Sequence, residues 1–315
     1  MVKTLILYES RYGSAERISK DLALILGPAK ICRVSEFSGN ISDFEFVVIC
    51  SPVYSEVIDE GILAFVRGNA AVLSQKKVAL LCVCMAVNLA GRYLEQLSSL
   101  LGKSVVLQSG VCGEINLDKL SSGDRALIEG FYKMTGTSSV SSSQSDKSGL
   151  VGLALRIKAL KDEWKALKGE EPVKRHAEDF LAKHNTCVLA TGHGDRVRAT
   201  PIEYMYIDGY IYMLSEGGEK FANIILNPRV SIGICDPYKG MSELAGMQIS
   251  GTAKVIEMGS GEYKYVLGKK ELDYEKISSL PMALNLMKIE ITKIEFLWSG
   301  FSELGYDVKQ ILKDY

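Results

Sequence analysis

Thr4-Leu5-Ile6-Leu7-Tyr8 is a near-continuous apolar run, and Ser10-Arg11-Tyr12-Gly13-Ser14 follows it after a single glutamate. The run lacks polar alternation, so it reads as a strand covered on both faces, as in a parallel sheet. Beyond the loop, Ile18, Leu22, Ile25 and Leu26 recur at helical spacing, and Gly27-Pro28 stops that helix. A strand, a short hydroxyl-rich loop and a helix together form an anion cradle. The first helical N–H groups lack partners, and the helix dipole is positive at that end. Gly13 lets the backbone approach an anion closely, and the Ser10 and Ser14 hydroxyls add donors. Ser14 also reads as an ordinary N-cap.

The same alternation continues outward. Strands are expected at Lys30–Val34, Phe46–Cys50, Val78–Cys84 and Ser104–Cys112, with helices over about 59–73 and 89–101. Alternating strands and helices predict an α/β doubly wound parallel sheet. After Gly113 the pattern breaks. A helical segment over 120–134 runs into Thr135–Gly149, where seven of fifteen residues are serine, the composition of a flexible loop or linker. Leu150, Leu153, Ile157, Leu160, Trp164 and Leu167 then keep a strict three-four spacing. This helix could seam two chains as a coiled coil, but it spans few heptads, and packing back on the first sheet is preferred. Gly169-Glu170-Glu171-Pro172 marks the boundary between a first domain, residues 1–168, and a second, residues 172–315.

The second domain reads differently. A short helix (173–184) precedes closely spaced strands over 186–191, 196–207, 210–215, 230–235, 247–256 and 287–298. Asp208-Gly209 between aromatic-rich runs is a hairpin signal. Many antiparallel strands with few helices predict a small, mostly antiparallel β-barrel. On one of these strands Arg198 and Thr200 point the same way, so a guanidinium and a hydroxyl can converge on one anion. Lys220, after Gly217-Gly218, begins another helix and adds a point charge to a second helix-terminus cradle. Taken singly, Arg198 and Lys220 are ordinary surface charges; taken together with the hairpin they make a phosphate site.

Composition narrows the function. The chain has 315 residues, 47% apolar and 24% charged, with a formal net charge of −1. That suits two soluble globular domains and gives phosphate-driven nucleic-acid binding no source. No signal peptide or membrane-length apolar run is visible, so a cytoplasmic location is expected. Seven cysteines without a CxxC pair read as buried, reduced thiols. Cys82 and Cys84 alternate on a strand and are expected on opposite sides of its sheet, a poor geometry for chelation. His176, His184 and His193 lack acidic partners at suitable spacing, and no metal site is assigned. No nucleophile motif appears.

The first loop resembles that of flavodoxins. Ser10-Arg11-Tyr12-Gly13-Ser14-Ala15-Glu16 lies over their hydroxyl-rich loop for FMN phosphate, with Ala15 in place of the usual threonine. Ser51-Pro52-Val53-Tyr54 resembles the loop flanking the isoalloxazine ring, where Tyr54 offers a stacking face; alone it would read as a surface tyrosine. The segment Ala86-Val87-Asn88-Leu89-Ala90-Gly91-Arg92 is similar to the corresponding loop of flavodoxin-type protoporphyrinogen dehydrogenases, as is Phe131-Tyr132-Lys133-Met134-Thr135-Gly136. That family oxidises a porphyrinogen through FMN. Residues 114–129 depart from its basic, aromatic pattern, which bears on the substrate.

The second half is similar to the split-barrel family of pyridoxamine 5′-phosphate oxidase. Arg198-Ala199-Thr200-Pro201-Ile202, the Asp208-Gly209 hairpin, Ser215, Lys220 and Asn227-Pro228-Arg229-Val230 follow its order, and Gln248 stands where the family places a strand residue near the flavin. The resemblance implies FMN at the interface of a homodimer. Residues 307–315 contain no arginine, unlike the substrate-binding end of true pyridoxamine phosphate oxidases, so vitamin B6 oxidation is not expected. Some split-barrel relatives bind a deazaflavin or haem instead, and both stay open for the barrel. Together the resemblances imply an FMN-dependent oxidoreductase with two flavins per chain, acting on a small or tetrapyrrole-like substrate. The alternative is an electron carrier or flavin-binding protein that docks a redox partner protein.

Overall fold

Every residue of Thr4–Tyr8 is buried, and this strand, β1, lies inside a parallel sheet, paired on both sides. The structure is a computed structural model that describes residues 2–135, 147–163, 168–313 and 315. It divides into two compact units, Met1–Lys165 and Ala166–Tyr315.

In the first unit β1 is followed by α1 (Ser14–Leu26), β2 (Ala29–Arg33), β3 (Phe46–Tyr54), β4 (Val57–Ile58), α2 (Glu60–Leu73), β5 (Lys77–Cys84), α3 (Ala90–Leu101), β6 (Val105–Cys112), α4 (Ser122–Thr135) and α5 (Lys147–Asp162). The sheet order is β2-β1-β3-β5-β6, all parallel, with β4 antiparallel on β3. Ile6, Val48 and Leu81 pack with α1 and α5 on one face; Leu5, Leu7, Val47 and Leu80 pack with α2 and α3 on the other. Helices on both faces are the reason these strands lack polar alternation. Because β1 lies between β2 and β3, the chain leaves β1 for one face and β3 for the other. This is the topological switch point of the sheet, where open α/β sheets form a ligand crevice outside the carboxyl ends of the strands.

Helix α5 packs through Leu150, Leu153, Ala154 and Ile157 beside Ile18 and Leu22, the packing back that its spacing favoured. Lys147–Gly149 belong to this helix and not to a loop. The rest of the serine-rich stretch, residues 136–146, and Trp164 and Leu167 lie outside the described residues. Strand β3 does not stop at Cys50. It carries Ser51–Tyr54 and turns through Ser55 and Glu56, at φ 50° and 63°, into β4.

Two expectations about cysteine need correction. Cys82 and Cys84 lie on the same face of β5, with their sulfurs 3.8 Å apart. Residues two apart on a pleated strand share a side, so the expected opposition misapplied the period. Nor are the thiols all buried, since Cys112 and Cys235 are exposed.

The second unit begins with α6 (Glu170–Lys183), β7 (Thr186–His193), β8 (Arg196–Glu203), β9 (Met205–Ile207) and β10 (Tyr210–Ser215). It continues with α7 (Glu219–Leu226), β11 (Arg229–Cys235), β12 (Ala245–Ile256), α8 (Gly261–Lys269), α9 (Tyr274–Ser278), β13 (Asn285–Trp298), α10 (Gly300–Glu303) and β14 (Lys309–Lys313). The strands form one antiparallel sheet in the order β8-β7-β11-β12-β13-β10-β9, with β14 on β13, curled into a half-barrel. Asp208 and Gly209 take φ 52° and 84°, the left-handed pair that a tight hairpin needs. The expected strand over 196–207 is broken at Tyr204. Its buried ring and a hydroxyl donating to Leu181 O (2.8 Å) pull the chain inward. At the β12 bulge, a Cβ on Gly251 would stand 2.6 Å from Glu290 O, so only glycine lets β12 and β13 approach.

Among the described residues no helix is long and apolar enough to cross a membrane, and no group of three or more His, Cys, Asp or Glu could hold a metal ion.

Candidate functional site

At the crevice of the first unit, Gly13 caps α1 in the left-handed conformation (φ 89°), and no side chain caps the helix. Ser14 is therefore the first residue of α1 and not its N-cap. The Gly13 N–H donates to Ser10 Oγ (3.0 Å), which folds the loop over the helix end. The first intrahelical bond runs from Arg17 N–H to Gly13 O (3.1 Å), so the N–H groups of Ser14, Ala15 and Glu16 precede the helical ladder. The Ala15 side chain is 1% exposed in the α1–α5 core. A hydroxyl at that place would be buried among apolar groups, so Ala15 can serve an anion only through its backbone.

The end of β6 closes against this loop. A Cβ on Gly113 would lie 2.7 Å from Ser14 Oγ and 2.6 Å from Val83 Cγ1. Gly110 similarly admits the loop after β5, since its Cβ would stand 3.0 Å from Val87 O. Val87 and Asn88 are exposed there, beside the exposed Met85.

The aromatic side of the crevice is already engaged. The Arg11 guanidinium sits 4.5 Å above the Tyr54 ring, and Arg11 N–H donates to the Tyr54 hydroxyl (2.9 Å). Tyr12 meets Tyr54 edge-on at 6.0 Å. Burial raises the Tyr54 pKa, so the hydroxyl is neutral. From α4, Asp124 accepts from the Tyr12 hydroxyl and pairs with Arg11 at 3.5 Å; these contacts, Tyr12 foremost, hold its carboxyl below the usual range. Arg17 pairs with Glu114. Arg33 donates to Ser10 O (3.2 Å) and pairs with Glu16 and Glu9. All three arginines at the loop are thus tied to carboxylates, which leaves backbone N–H groups and the Ser10 and Ser14 hydroxyls as the candidate donors to an anion. Ser51 and Pro52 are buried, and Ser51 Oγ accepts from Asp59 N–H (3.0 Å) and donates to Pro52 O (3.0 Å). They support the hairpin, whereas Val53 and Tyr54 form its rim.

In the second unit, Arg198 and Thr200 pair with Thr191 and Leu189 and share their inward face. Helix α7 lies against this hairpin. Asn223 Nδ2 donates to Thr191 Oγ1 (3.1 Å) and Asn227 Nδ2 to Gly192 O (2.8 Å). Gly217 and Gly218, at φ 132° and 111°, bring the helix start over the sheet edge, and the Gly217 N–H donates to Ser215 Oγ (3.2 Å). Lys220 is 7% exposed, its ammonium donates to Gly217 O, and no carboxylate pairs with it among the described residues. Burial lowers its pKa, and the nearby Arg198 charge lowers it further. Arg198 pairs with Glu219, whose side chain is 80% exposed. Thr200 Oγ1 is buried with no hydrogen-bond partner. The two cations beside a helix start can serve as donors to an anion, and Thr200, on the same strand face as Arg198, is a candidate third donor.

Two expected members lie elsewhere. Ala199 and Gln248 are exposed on the outer face of the sheet, opposite to Arg198 and Thr200. Gln248 is in register with Gly233 of β11 and Glu295 of β13. Strand alternation puts it on that face, so one chain does not bring it to Lys220. Asp124, Gly110, Gly113 and Asn223 carried no sequence signal, because each matters through a neighbour distant in the chain.

Residues 5–142 match the family model of the flavodoxin domain, and residues 173–298 match that of pyridoxamine 5′-phosphate oxidase. The chain joins a flavodoxin-like domain to a pyridoxamine-phosphate-oxidase-like split barrel. No curated protein matches it. Solved structures similar to the chain include an FAD-binding protein from Mesorhizobium loti, at 20% identity over 38% of this chain and 90% of that one, with TM-score 0.31. Another is a putative pyridoxamine 5′-phosphate oxidase from Listeria innocua, at 19% identity over 40% and 98%, with TM-score 0.32. A third is the heme storage protein HutZ from Vibrio cholerae, at 17% identity over 38% and 89%, with TM-score 0.33.

Proposed function

We propose that this flavodoxin-like, split-barrel chain is an FMN-dependent oxidoreductase with a flavin site in each domain, working as a homodimer through its barrel. The observation that carries the reading is Lys220: a nearly buried ammonium without a carboxylate among the described residues, near Arg198, whose strand face also carries the orphaned Thr200 Oγ1. An unpaired buried cation is costly, and a phosphate dianion would offset that cost. The residues present fit the group.

When bound, a flavin ring supplies hydride or single-electron transfer. The chain's own residues bind and orient it. In the barrel, Arg198 and Lys220 neutralise the phosphate, Thr200 Oγ1 donates to it, and Ser215 fixes the Gly217-Gly218 turn. Ala199 and Gln248, on the outer face, are placed to meet the flavin of a second copy. In the first domain, the N–H groups of Ser14, Ala15 and Glu16 and the Ser10 hydroxyl hold the second phosphate. Val53, Tyr54, Val87 and Asn88 border the ring, and Arg11 leaves the Tyr54 face when a ring stacks there. No acid or base is assigned.

Acid release of cofactor from purified protein tests the reading, with two FMN per chain expected. Reduction by NADH or NADPH without a second protein supports an oxidoreductase on a small or tetrapyrrole-like substrate. Reduction only by a protein donor replaces it with an electron carrier. A deazaflavin or haem spectrum replaces FMN in the barrel, and a colourless protein refutes the proposal.

A further inference from the structure

Three cysteines stand together at the carboxyl edge of the first sheet. The Cys82 and Cys84 sulfurs are 3.8 Å apart on one face of β5. On β6, Cys112 is the register partner of Cys84, and Gly110 that of Cys82. Paired residues of neighbouring strands share a face, so Cys112 lies on the same side. Exposure grades along the group: Cys82 is fully buried, Cys84 is 7% exposed and Cys112 is exposed. Thiols that only fill space need no such route to solvent.

We propose that Cys82 and Cys84 form a reversible dithiol–disulfide pair, loaded through Cys112 from a low-molecular-weight disulfide. Two strand residues rise by about 6.6 Å, which lies inside the roughly 4.4–6.8 Å between Cα atoms that a disulfide spans, and near its upper end. A bond closed near that limit is readily reduced, which makes it reversible. Cys84 and Cys112 are separated across the ladder by about 4.8 Å, also within range.

The exchange runs in three displacements. The Cys112 thiolate attacks the small disulfide, RSSR, forming Cys112–S–S–R and releasing RS⁻. Cys84 attacks the Cys112 sulfur, forming Cys84–S–S–Cys112 and releasing the second RS⁻. Cys82 attacks Cys84, closes the internal bond and returns Cys112 as a thiolate. In total, two protein thiols lose two electrons and two protons, and one RSSR becomes two RSH. The contact between the two sulfurs lowers the Cys84 pKa, while that contact and burial raise Cys82.

Trypsin releases 78–92 as one peptide carrying Cys82 and Cys84 and no other cysteine. The full chain is incubated with oxidised glutathione, alkylated without reduction, digested and analysed by mass spectrometry. The peptide is expected to lack two hydrogens and both alkyl groups, and dithiothreitol is expected to restore both thiols. Cys112→Ser should slow closure by about tenfold or more, since the buried thiols lose their exposed entry point. An unchanged rate removes Cys112 from the scheme. If both thiols of the peptide stay alkylatable while Cys112 carries glutathione, the pair is not redox-active and the proposal fails. The readout is a peptide mass, so it stands or falls independently of flavin content.

Discussion

Lys220 of α7 feels the charge of Arg198 on β8, and among the described residues only Arg198 of the two has a carboxylate partner, Glu219. A folded chain tolerates such a pair at a cost, because burial and like charge both work against the ammonium.

Lys220→Met should therefore separate stability from binding. Removing the unpaired charge while keeping the aliphatic stem should leave the cofactor-free protein equally stable, or more stable by about 1 kcal/mol. The same variant should lose its barrel flavin, and Arg198→Ala with Lys220→Ala should empty the barrel. Denaturant titration of stripped protein and flavin counting after acid release check the two halves. Unchanged flavin content in the double variant would place the site elsewhere.

Gly113→Ala should damage the first domain. The new Cβ would stand 2.6 Å from Val83 Cγ1 and 2.7 Å from Ser14 Oγ, so either the strand end or the loop must shift. Overpacking of this kind costs about 1–3 kcal/mol. The loop that carries Ser10 and Ser14 moves with Ser14, so under the proposed function one of the two flavins should be lost. Retention of both, with an unaltered unfolding midpoint, would show that the contact is not tight.

The outer barrel face should be a homodimer interface. Gly233 lies there beside Gln248, and a Cβ on Gly233 meets nothing within 4 Å. The isolated fold should accept Gly233→Arg, whereas a partner packed on that face should not. Light scattering should give a dimer for the natural chain and a monomer for the variant, with barrel flavin lost in parallel. A variant that stays dimeric moves the interface off this face.

Glu295 should contribute acid-sensitive stability. Burial pushes its carboxyl up, but ion pairs with Lys293 and Lys309 outweigh that and hold it at about 2. A depressed folded value stabilises the protein above the unfolded glutamate pKa of about 4.3, and the contribution fades as pH falls toward 2. Lys293 is partly exposed, so solvent screening trims the gain to about 1–3 kcal/mol. Glu295→Gln should lose that amount at pH 7 and match the natural chain near pH 2. A pH-independent difference in urea midpoints would contradict the assignment.

Much of the fold was legible because its signals are local. Unbroken apolar runs gave β1, β3 and β5, and Asp208-Gly209 gave the β9–β10 hairpin, since burial on two faces and a left-handed turn each leave a mark within a few residues. Helices α8 and α9 and strand β14 were missed; their short apolar patterns gain meaning only against the barrel wall, where Tyr263, Val266 and Leu267 are buried. The cysteine pair was misplaced by a misapplied strand period and not by a missing signal.

Alone, the order of residues determined two strand–loop–helix connections, each a candidate cradle, because such a connection is made of neighbours in the chain. Tertiary structure alone decided what each cradle faces: Asp124 over Tyr12, Gly113 against Ser14, Lys220 buried beside Arg198, and Gln248 turned to the opposite side of the sheet. Those relationships depend on strand order, on register and on which face of a sheet a helix covers. Each is fixed by packing between segments far apart in sequence, where no local pattern records it.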